Sequence, residues 1–270
     1  MEIDLKGKVA IVTGAGRGIG RVILETLAAE GVTTIATDIE EATLLALPQA
    51  FAQNGWQGEV VRCDVREREE IRALVEHIEA TYGRLDILVN NAGVSVSGAV
   101  ETLAESAWDD NLDTNLKGTF LMCQAVVPIM KAQRSGRILN AASFAAIVPA
   151  LGSAAYAASK AGVVSLTRVL AGELGPWNIT VNCYAPGMIP TQMNHFAEAT
   201  PAHQQRLLDT LTLRNWGEKQ DVARLICFLA SDLAGYITGA LIDVSGGKLA
   251  TQIPRIAYEW AARDGGYEFE

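Results

Sequence analysis

The sequence predicts an α/β fold, a single domain built on a doubly wound parallel sheet of about seven strands with helices on both faces. Three observations carry that prediction. Short β-branched runs alternate with longer helix-period stretches along nearly the whole chain, the pattern left by parallel strands joined through helical crossovers. No Pro/Gly/Ser-rich linker and no internal repeat interrupts the alternation. The first strand-like run leads directly into a glycine-rich turn and then a helix.

Taken in order, the strand candidates are Val9–Thr13, Thr33–Asp38, Glu59–Asp64, Leu85–Asn90, Gly136–Ala142, Ile179–Ala185 and Ala240–Val244. Helical stretches are expected near 18–30, 40–54, 67–82, 101–134, 153–175 and 218–232. The period is clearest in the third, where Ile71, Leu74, Val75 and Ile78 fall at i, i+3, i+4 and i+7. Segment 187–216 has no strand and is rich in Met, Gln, Asn, His and Thr, which suits a substrate lid. Beyond the Ser245-Gly246-Gly247 turn, residues 248–270 form an extension. In it Ile253, Ile256, Ala257, Trp260 and Ala261 make an apolar helical stripe after Pro254, and Gly265-Gly266 suits its stop.

Composition narrows the function. With 270 residues and 49% hydrophobic content the chain has material for a large core. Its net charge of −9, without a Lys/Arg block, makes nucleic acid and anionic membrane poor partners. The longest apolar stretch, 144–164, is broken by Pro149, Gly152, Ser153, Tyr156 and Lys160 and does not read as a membrane span. Cys63, Cys123, Cys183 and Cys227 are scattered, with no CxxC pair, and three histidines offer no second ligand for a metal site. The acidic start Met1-Glu2-Ile3-Asp4 has no leader pattern, so the expectation is a cytoplasmic, metal-free protein.

The glycine turn reads Thr13-Gly14-Ala15-Gly16-Arg17-Gly18-Ile19-Gly20, a GxxxGxG spacing from Gly14. Glycines there permit positive φ and let a pyrophosphate approach bare backbone at a helix N-terminus, a Rossmann-like feature. Asp38 ends the second strand about 18 residues after Gly20, where a carboxylate bonds the adenosine ribose and repels a 2′-phosphate. The expected cofactor is therefore NAD. Arg17 is the one residue of the turn that could partner a 2′-phosphate instead.

Tyr156 and Lys160 stand four residues apart on one helical face. A lysine ammonium beside a phenol favours the phenolate and so makes a usable acid/base. Two strand ends bring company: Ser143 follows the fifth, and Asn90-Asn91-Ala92-Gly93 follows the fourth. Both lie at carboxyl ends, where open α/β sheets bind ligands.

With these residues in view, the sequence resembles the short-chain dehydrogenase/reductase family over about residues 6–247. The motifs are TGAGRGIG (13–20), DV (64–65), NNAG (90–93), Asn115 in NLKG, Ser143, YAASK (156–160) and PGMIPT (186–191). The resemblance implies a tetrad: Tyr156 as acid/base, Lys160 lowering its pKa and bonding the nicotinamide ribose, Ser143 holding the substrate oxygen, and Asn115 supporting a water relay. It implies that Asp64 and Val65 contact adenine and that Asn91, Ala92 and Gly93 line the cofactor cleft. Pro186, Gly187, Ile189 and Thr191 are implied at the nicotinamide end, with the Ile189 backbone and Thr191 holding the carboxamide. A homotetramer is also implied.

Substrate contacts are expected from Ser95, Phe144, Ser153, Met188 and Gln192 together with Ser143 and Tyr156. The stretches carrying them contain no Lys, Arg, Asp or Glu, which suits a neutral substrate end. The leading reading is an NAD-dependent dehydrogenase of a secondary alcohol, whether cyclic alcohol, polyol or sugar-like. The alternatives are an NADPH-dependent ketone or 3-oxoacyl thioester reductase and, from another class, a non-catalytic nucleotide-sensing module. His195 in the lid is expected to face water, Asp86 to be a turn or cap residue, and the tryptophans to pack, with Trp216 a candidate for lid closure. The extension is expected either to dock on a neighbouring subunit near its lid, offering Arg255 or the terminal aromatics Tyr267 and Phe269, or to pack on its own subunit.

Overall fold

The computed structural model of the chain describes residues 3–194, 196–248 and 250–263. His195, Gly265-Gly266, Tyr267 and Phe269 lie outside the described residues. Seven strands are present: β1 (Val9–Thr13), β2 (Thr33–Asp38), β3 (Gly58–Arg62), β4 (Ile87–Asn90), β5 (Gly136–Ala141), β6 (Ile179–Pro186) and β7 (Leu241–Val244). They form one sheet in the order β3-β2-β1-β4-β5-β6-β7, and every pairing is parallel.

Alternation along the strands explains why both faces are covered. Ala10 and Val12 of β1 pack into a core with Leu24 and Leu27 of α1 (Gly18–Ala29) and Ile226 and Leu229 of α9 (Lys219–Ala230). Val9 and Ile11 face the other way. They join Ile71, Leu74, Val75 and Ile78 of α4 (Arg68–Tyr82), and Val126 and Met130 of α6 (Gly118–Gln133). Side chains two residues apart share a face, so a run of apolar residues serves both layers.

Element types match the sequence expectation, and the departures have local causes. The helix expected over 40–54 is two pieces, α2 (Glu41–Leu44) and α3 (Leu47–Asn54). Pro48 lies in the first turn of α3, where its missing N–H is harmless but where a continuous helix would bring its ring against the Leu44 carbonyl. The stretch 101–134 divides into α5 (Glu105–Leu112), a π-helical turn Asp113–Lys117, and α6. A π-turn is invisible to a 3.6-residue pattern, and here it carries Asn115. α7 (Ala154–Leu174) carries Tyr156 and Lys160. Asp86 is more than a turn residue: buried, it pairs with Arg84 at 2.7 Å and accepts the first β1 N–H, from Val9, at 2.9 Å.

The register aligns the carboxyl ends. Thr13 lies opposite Thr37, Asn90 opposite Asn140, Ala141 opposite Tyr184 and Pro186 opposite Val244. Because β1 is flanked by β2 and β4, the winding reverses there and opens the crevice in which such sheets bind ligands. The lid contains a 3-10 turn, Phe196–Glu198, and α8 (Pro201–Leu208). Phe196 stacks on Trp216, with ring centroids 5.7 Å apart.

The extension forms α10 (Arg255–Arg263) and packs on its own chain. Tyr258 donates to the Thr212 carbonyl at 2.6 Å, and Arg255 pairs with Asp209 at 3.2 Å. The face turned inward is that of Pro254 and Tyr258, not the expected stripe: Ile253, Ile256 and Trp260 stay exposed. Polar anchors on the lid, rather than apolar burial, set the helix rotation.

Close packing of the glycine turn gives a direct test. A Cβ on Gly20 would overlap the Gly14 carbonyl oxygen, which is backbone and cannot swing away. Gly20→Ala is expected to lower stability by about 1–3 kcal/mol, read as a lower urea midpoint with an unchanged slope.

Candidate active site

The cleft begins at the glycine turn. Gly14 and Gly18 both take φ of +63°. A Cβ on Gly14 would sit 2.8 Å from the Ala92 Cα, so β4's end can approach the turn only because residue 14 is glycine. Nothing lies within 4 Å of a Cβ placed on Gly18, which leaves open space over the turn. α1 starts there with Arg17 at its N-cap, making no side-chain cap, and with no acid in its first turn. Its first N–H groups, including those of Ile19 and Gly20, are thus left for an anion. A dinucleotide pyrophosphate fits this cradle.

Thr13, which sequence reasoning passed over, holds the turn to β4. Its Oγ1 accepts the N–H groups of both Asn91 and Ala92 at 3.0 Å. Asn91 returns the link, donating from Nδ2 to the carbonyls of Thr13 and Gly14 at 3.1 and 3.2 Å. Asp38 stands at the tip of β2 and accepts the Gly16 N–H at 3.1 Å and the Glu40 N–H at 3.1 Å. Gly16 is hemmed by Thr43 and the Asp38 carboxylate, so it too must be glycine. Arg17 is engaged by Glu40 at 3.3 Å. The adenosine end therefore presents two carboxylates, Asp38 and Glu40, and Arg17 is paired with the second of them.

Asp64 and Val65 are buried beside this cleft. The Asp64 carboxylate is gripped by Arg66, closest at 2.7 Å, and this ion pair holds its pKa below the usual carboxylate range. Val65 packs against Gly118, where a Cβ would come within 2.7 Å of it. At the nicotinamide end Gly187 lies against Ser245, Pro186 pairs with β7, and Met188 and Ile189 are buried. The Ile189 backbone is already bonded, its N–H to Gly187 at 3.0 Å and its carbonyl to Asn194 at 2.7 Å. Thr191 donates its N–H to Asn194 at 3.1 Å.

Four predicted catalytic residues converge from β5, the π-turn and α7. Ser143 is buried at the end of β5, accepting the Ala145 N–H at 3.1 Å. Burial pushes the Tyr156 phenol above its ordinary pKa, and a hydrogen bond with Ser143 opposes that shift. Lys160 is only 4% exposed. Its Nζ donates to the Ala141 carbonyl at 2.8 Å and lies 5.7 Å from the Tyr156 ring centroid. Burial draws its pKa down to about 8. Gly93 lies beside both Lys160 and Asn115, where a Cβ would reach the Asn115 Oδ1 at 3.0 Å. Asn115 is fully buried, clamps both backbone groups of Val94 at 2.9 Å and donates to Ser159 Oγ at 3.0 Å. Ser159, unremarked in the sequence, donates onward to the Tyr156 carbonyl at 2.7 Å.

The expected substrate contacts divide. Phe144 and Met188 are wall residues, half-buried and buried. Ser95 and Gln192 are exposed at the rim. Ser153 is buried and its hydroxyl is committed to the Ala150 carbonyl at 2.6 Å, so it offers no free donor. Val96, Ile147, Val148, Leu151 and Met193 project from the loops around the mouth, all exposed. Among the described residues no group of His, Cys, Asp and Glu could hold a metal, and no helix is long and apolar enough to cross a membrane.

Fold and site together define a dinucleotide-binding oxidoreductase scaffold with a Ser–Tyr–Lys centre. Residues 14–248 match the family model described as enoyl-(acyl carrier protein) reductase; the chain belongs to the short-chain dehydrogenase/reductase family. It is 41% identical over 246 residues to the 3-oxoacyl-[acyl-carrier-protein] reductase FabG of Thermotoga maritima, spanning 90% of this chain and 98% of that protein. It is 38% identical to the (2S)-[(R)-hydroxy(phenyl)methyl]succinyl-CoA dehydrogenase subunit BbsD of Thauera aromatica, over 91% and 98% of the two chains. Among solved structures it is similar to a Sinorhizobium meliloti protein assigned as a short-chain alcohol dehydrogenase, with 36% identity, a TM-score of 0.87, and 92% and 99% coverage. Gox2181 is similar as well, at 33% identity, a TM-score of 0.89, and 92% and 98% coverage.

Burying the Lys160 ammonium is costly. Folding lowers the Lys160 pKa from 10.5 to about 8, so below pH 8 both states are protonated and the full penalty applies, on the order of 3 kcal/mol. It fades as pH rises from 8 toward 10.5, where the folded protein has shed the proton and the unfolded chain has not. Lys160→Met is therefore expected to raise the apo Tm at pH 7, by less at pH 10, while removing activity.

Proposed function

We propose that the chain is an NAD(H)-dependent oxidoreductase interconverting a 3-hydroxyacyl and a 3-oxoacyl thioester, acting in the cytoplasm as a homotetramer. The observation carrying the chemistry is the convergence of Ser143, Tyr156 and Lys160 in a crevice whose other end is an uncapped helix N-terminus. The substrate class draws on the named activities of the FabG and BbsD relatives, both of which handle an acyl thioester with oxygen at the β-carbon. Exposed Val96, Ile147, Val148 and Leu151 suit an acyl chain at the mouth. Trp108, Phe120 and Val169, exposed on α5, α6 and α7, suit subunit contacts. The four buried, unpaired cysteines suit a reducing compartment.

The dinucleotide, when bound, supplies the hydride acceptor or donor. Gly14, Gly18, Ile19 and Gly20 hold its pyrophosphate, and Asp64 and Val65 border the adenine. Asn91 to Gly93 and Pro186 to Thr191 line the nicotinamide end. Tyr156 gives its proton to the ketone oxygen in reduction and takes it back in oxidation, while Ser143 donates to the same oxygen as charge develops there. Lys160, fixed near the phenol, favours its ionised form, and the protein otherwise contributes orientation.

The coenzyme preference rests on Asp38 and Glu40. Two carboxylates at the ribose end oppose a 2′-phosphate, and Glu40 occupies Arg17. A second reading, oxidation of a free secondary alcohol with NAD, is favoured by the polar, uncharged Ser95 and Gln192 at the rim and by the Sinorhizobium likeness. Assaying acetoacetyl-CoA, cyclohexanone and polyols with NADH or NAD⁺ separates the two.

Asp38→Asn keeps an acceptor for the Gly16 N–H but removes the charge. It is expected to reduce the NAD⁺ over NADP⁺ preference in kcat/KM by about tenfold or more, from ~1.5–3 kcal/mol for a charged hydrogen bond; a native preference for NADP⁺ would overturn the coenzyme assignment. Tyr156→Phe should cut kcat by roughly 10²–10⁴-fold with cofactor affinity retained. In the native enzyme oxidation needs the phenolate and should rise with pH. Reduction needs the phenol and should fall only at alkaline pH, because burial favours the protonated form. A Tyr156→Phe enzyme with the native pH profile contradicts this role.

A further inference from the structure

The stretches expected to line the substrate carry no ionisable side chain, yet the structure brings a cation to their edge from the far end of the sequence. Lys248 follows the turn that closes β7, and its Nζ lies 5.3 Å from the ring centroid of Phe144, the residue next to Ser143. The ammonium donates to Thr210 Oγ1 at 2.8 Å, beyond α8. Its backbone is fixed on both sides: the Lys248 N–H donates to Ser245 Oγ at 3.1 Å, and Thr212 donates to the Gly247 carbonyl at 2.8 Å. Lys248 is therefore held where lid, β7 turn and the Phe144 wall meet.

The groups against the ammonium, Thr210 and Phe144, are neutral, and the nearby Asp243 carboxylate accepts from Ser245 at 2.7 Å. Nearby Arg214 and Arg255 share Asp209, at 3.0 and 3.2 Å, and Arg255 also meets Glu259 at 3.1 Å. No carboxylate pairs with Lys248 among the described residues. The side chain is half-buried, and that burial draws its pKa below the ordinary lysine value. An ammonium so placed gains from an incoming anion, and two of its three donors remain for one.

Resting on the oxidoreductase reading of this site, we propose that Lys248 binds a carboxylate of the substrate on the Phe144 side of the reacting carbon. The substrate is then an acid: a hydroxy or oxo acid, or an acyl thioester bearing a second carboxyl group. The lid residue Thr210 orients the ammonium, and α10 steadies the same segment through Tyr258 and Arg255.

The test compares matched acids and esters on the enzyme–NADH complex. Binding of 3-oxobutanoate, 4-oxopentanoate and 5-oxohexanoate, and of their methyl esters, is followed by NADH fluorescence in native, Lys248→Met and Lys248→Arg proteins. At one chain length the native protein should bind acid over ester by about tenfold or more, the scale of a hydrogen bond to a charged group. Lys248→Met should bring that ratio near one with NADH affinity unchanged, and Lys248→Arg should restore most of it. No acid preference at any length, or a preference that survives Lys248→Met, overturns the proposal. Reduction is read in parallel from nicotinamide absorbance. Acid-selective binding lost in Lys248→Met supports Lys248 even when neither acid nor ester is reduced, and that failure counts against the oxidoreductase reading alone.

Discussion

One buried charge organises this molecule. Lys160 places an ammonium inside the protein with the Ala141 carbonyl as its hydrogen-bond acceptor, and a cation held there is unfavourable until something negative or negative-going shares the site. The neighbouring Tyr156 phenol meets that condition when it ionises. The fold keeps the two together by indirect means: Asn115 clamps Val94 and Ser159, and Ser159 holds the Tyr156 carbonyl. Asn140 of β5 adds a second tie, accepting from Asn90 at 2.9 Å and donating to Thr167 of α7 at 3.0 Å. Buried polar networks of this kind fix geometry more than they add stability.

The opposite electrostatic logic governs the other end of the crevice. There the backbone supplies positive character through an uncapped helix start, and two carboxylates, Asp38 at the tip of β2 and Glu40 beyond it, stand close by. Thr13 and Asn91 couple these ends by locking the glycine turn onto β4, so that the distance between the pyrophosphate cradle and the catalytic face is set by sheet register rather than by loop conformation.

Much of this was legible in the sequence, for physical reasons that also explain what was not. β1 and β2 were readable to the residue, because both are β-branched runs ended by glycine or acid. The glycine turn, Asp38 and the Tyr156–Lys160 pair are local patterns, and local patterns survive in a string. The π-turn around Asn115 breaks the helical period and so looked like continuous helix. Thr13, Ser159 and the Arg17–Glu40 pair act through tertiary contacts that leave no periodic trace. Lys248 was hidden for the same reason, since only the folded chain sets it against Phe144. The tail's apolar stripe was real as a pattern but did not determine its packing, because Tyr258 and Arg255 found stronger partners on the lid.

On the function proposed above, the Lys160 charge makes Tyr156 a usable acid/base once positive charge from an oxidised dinucleotide joins it. Titrating Tyr156 directly, by ¹³C NMR of tyrosine labelled at the Cζ carbon with and without NAD⁺, tests this most closely. Tyr156 should titrate above the ordinary phenol value in the free protein, where burial favours the protonated form, and clearly lower once NAD⁺ is bound. A Tyr156 titration unmoved by NAD⁺ would contradict it.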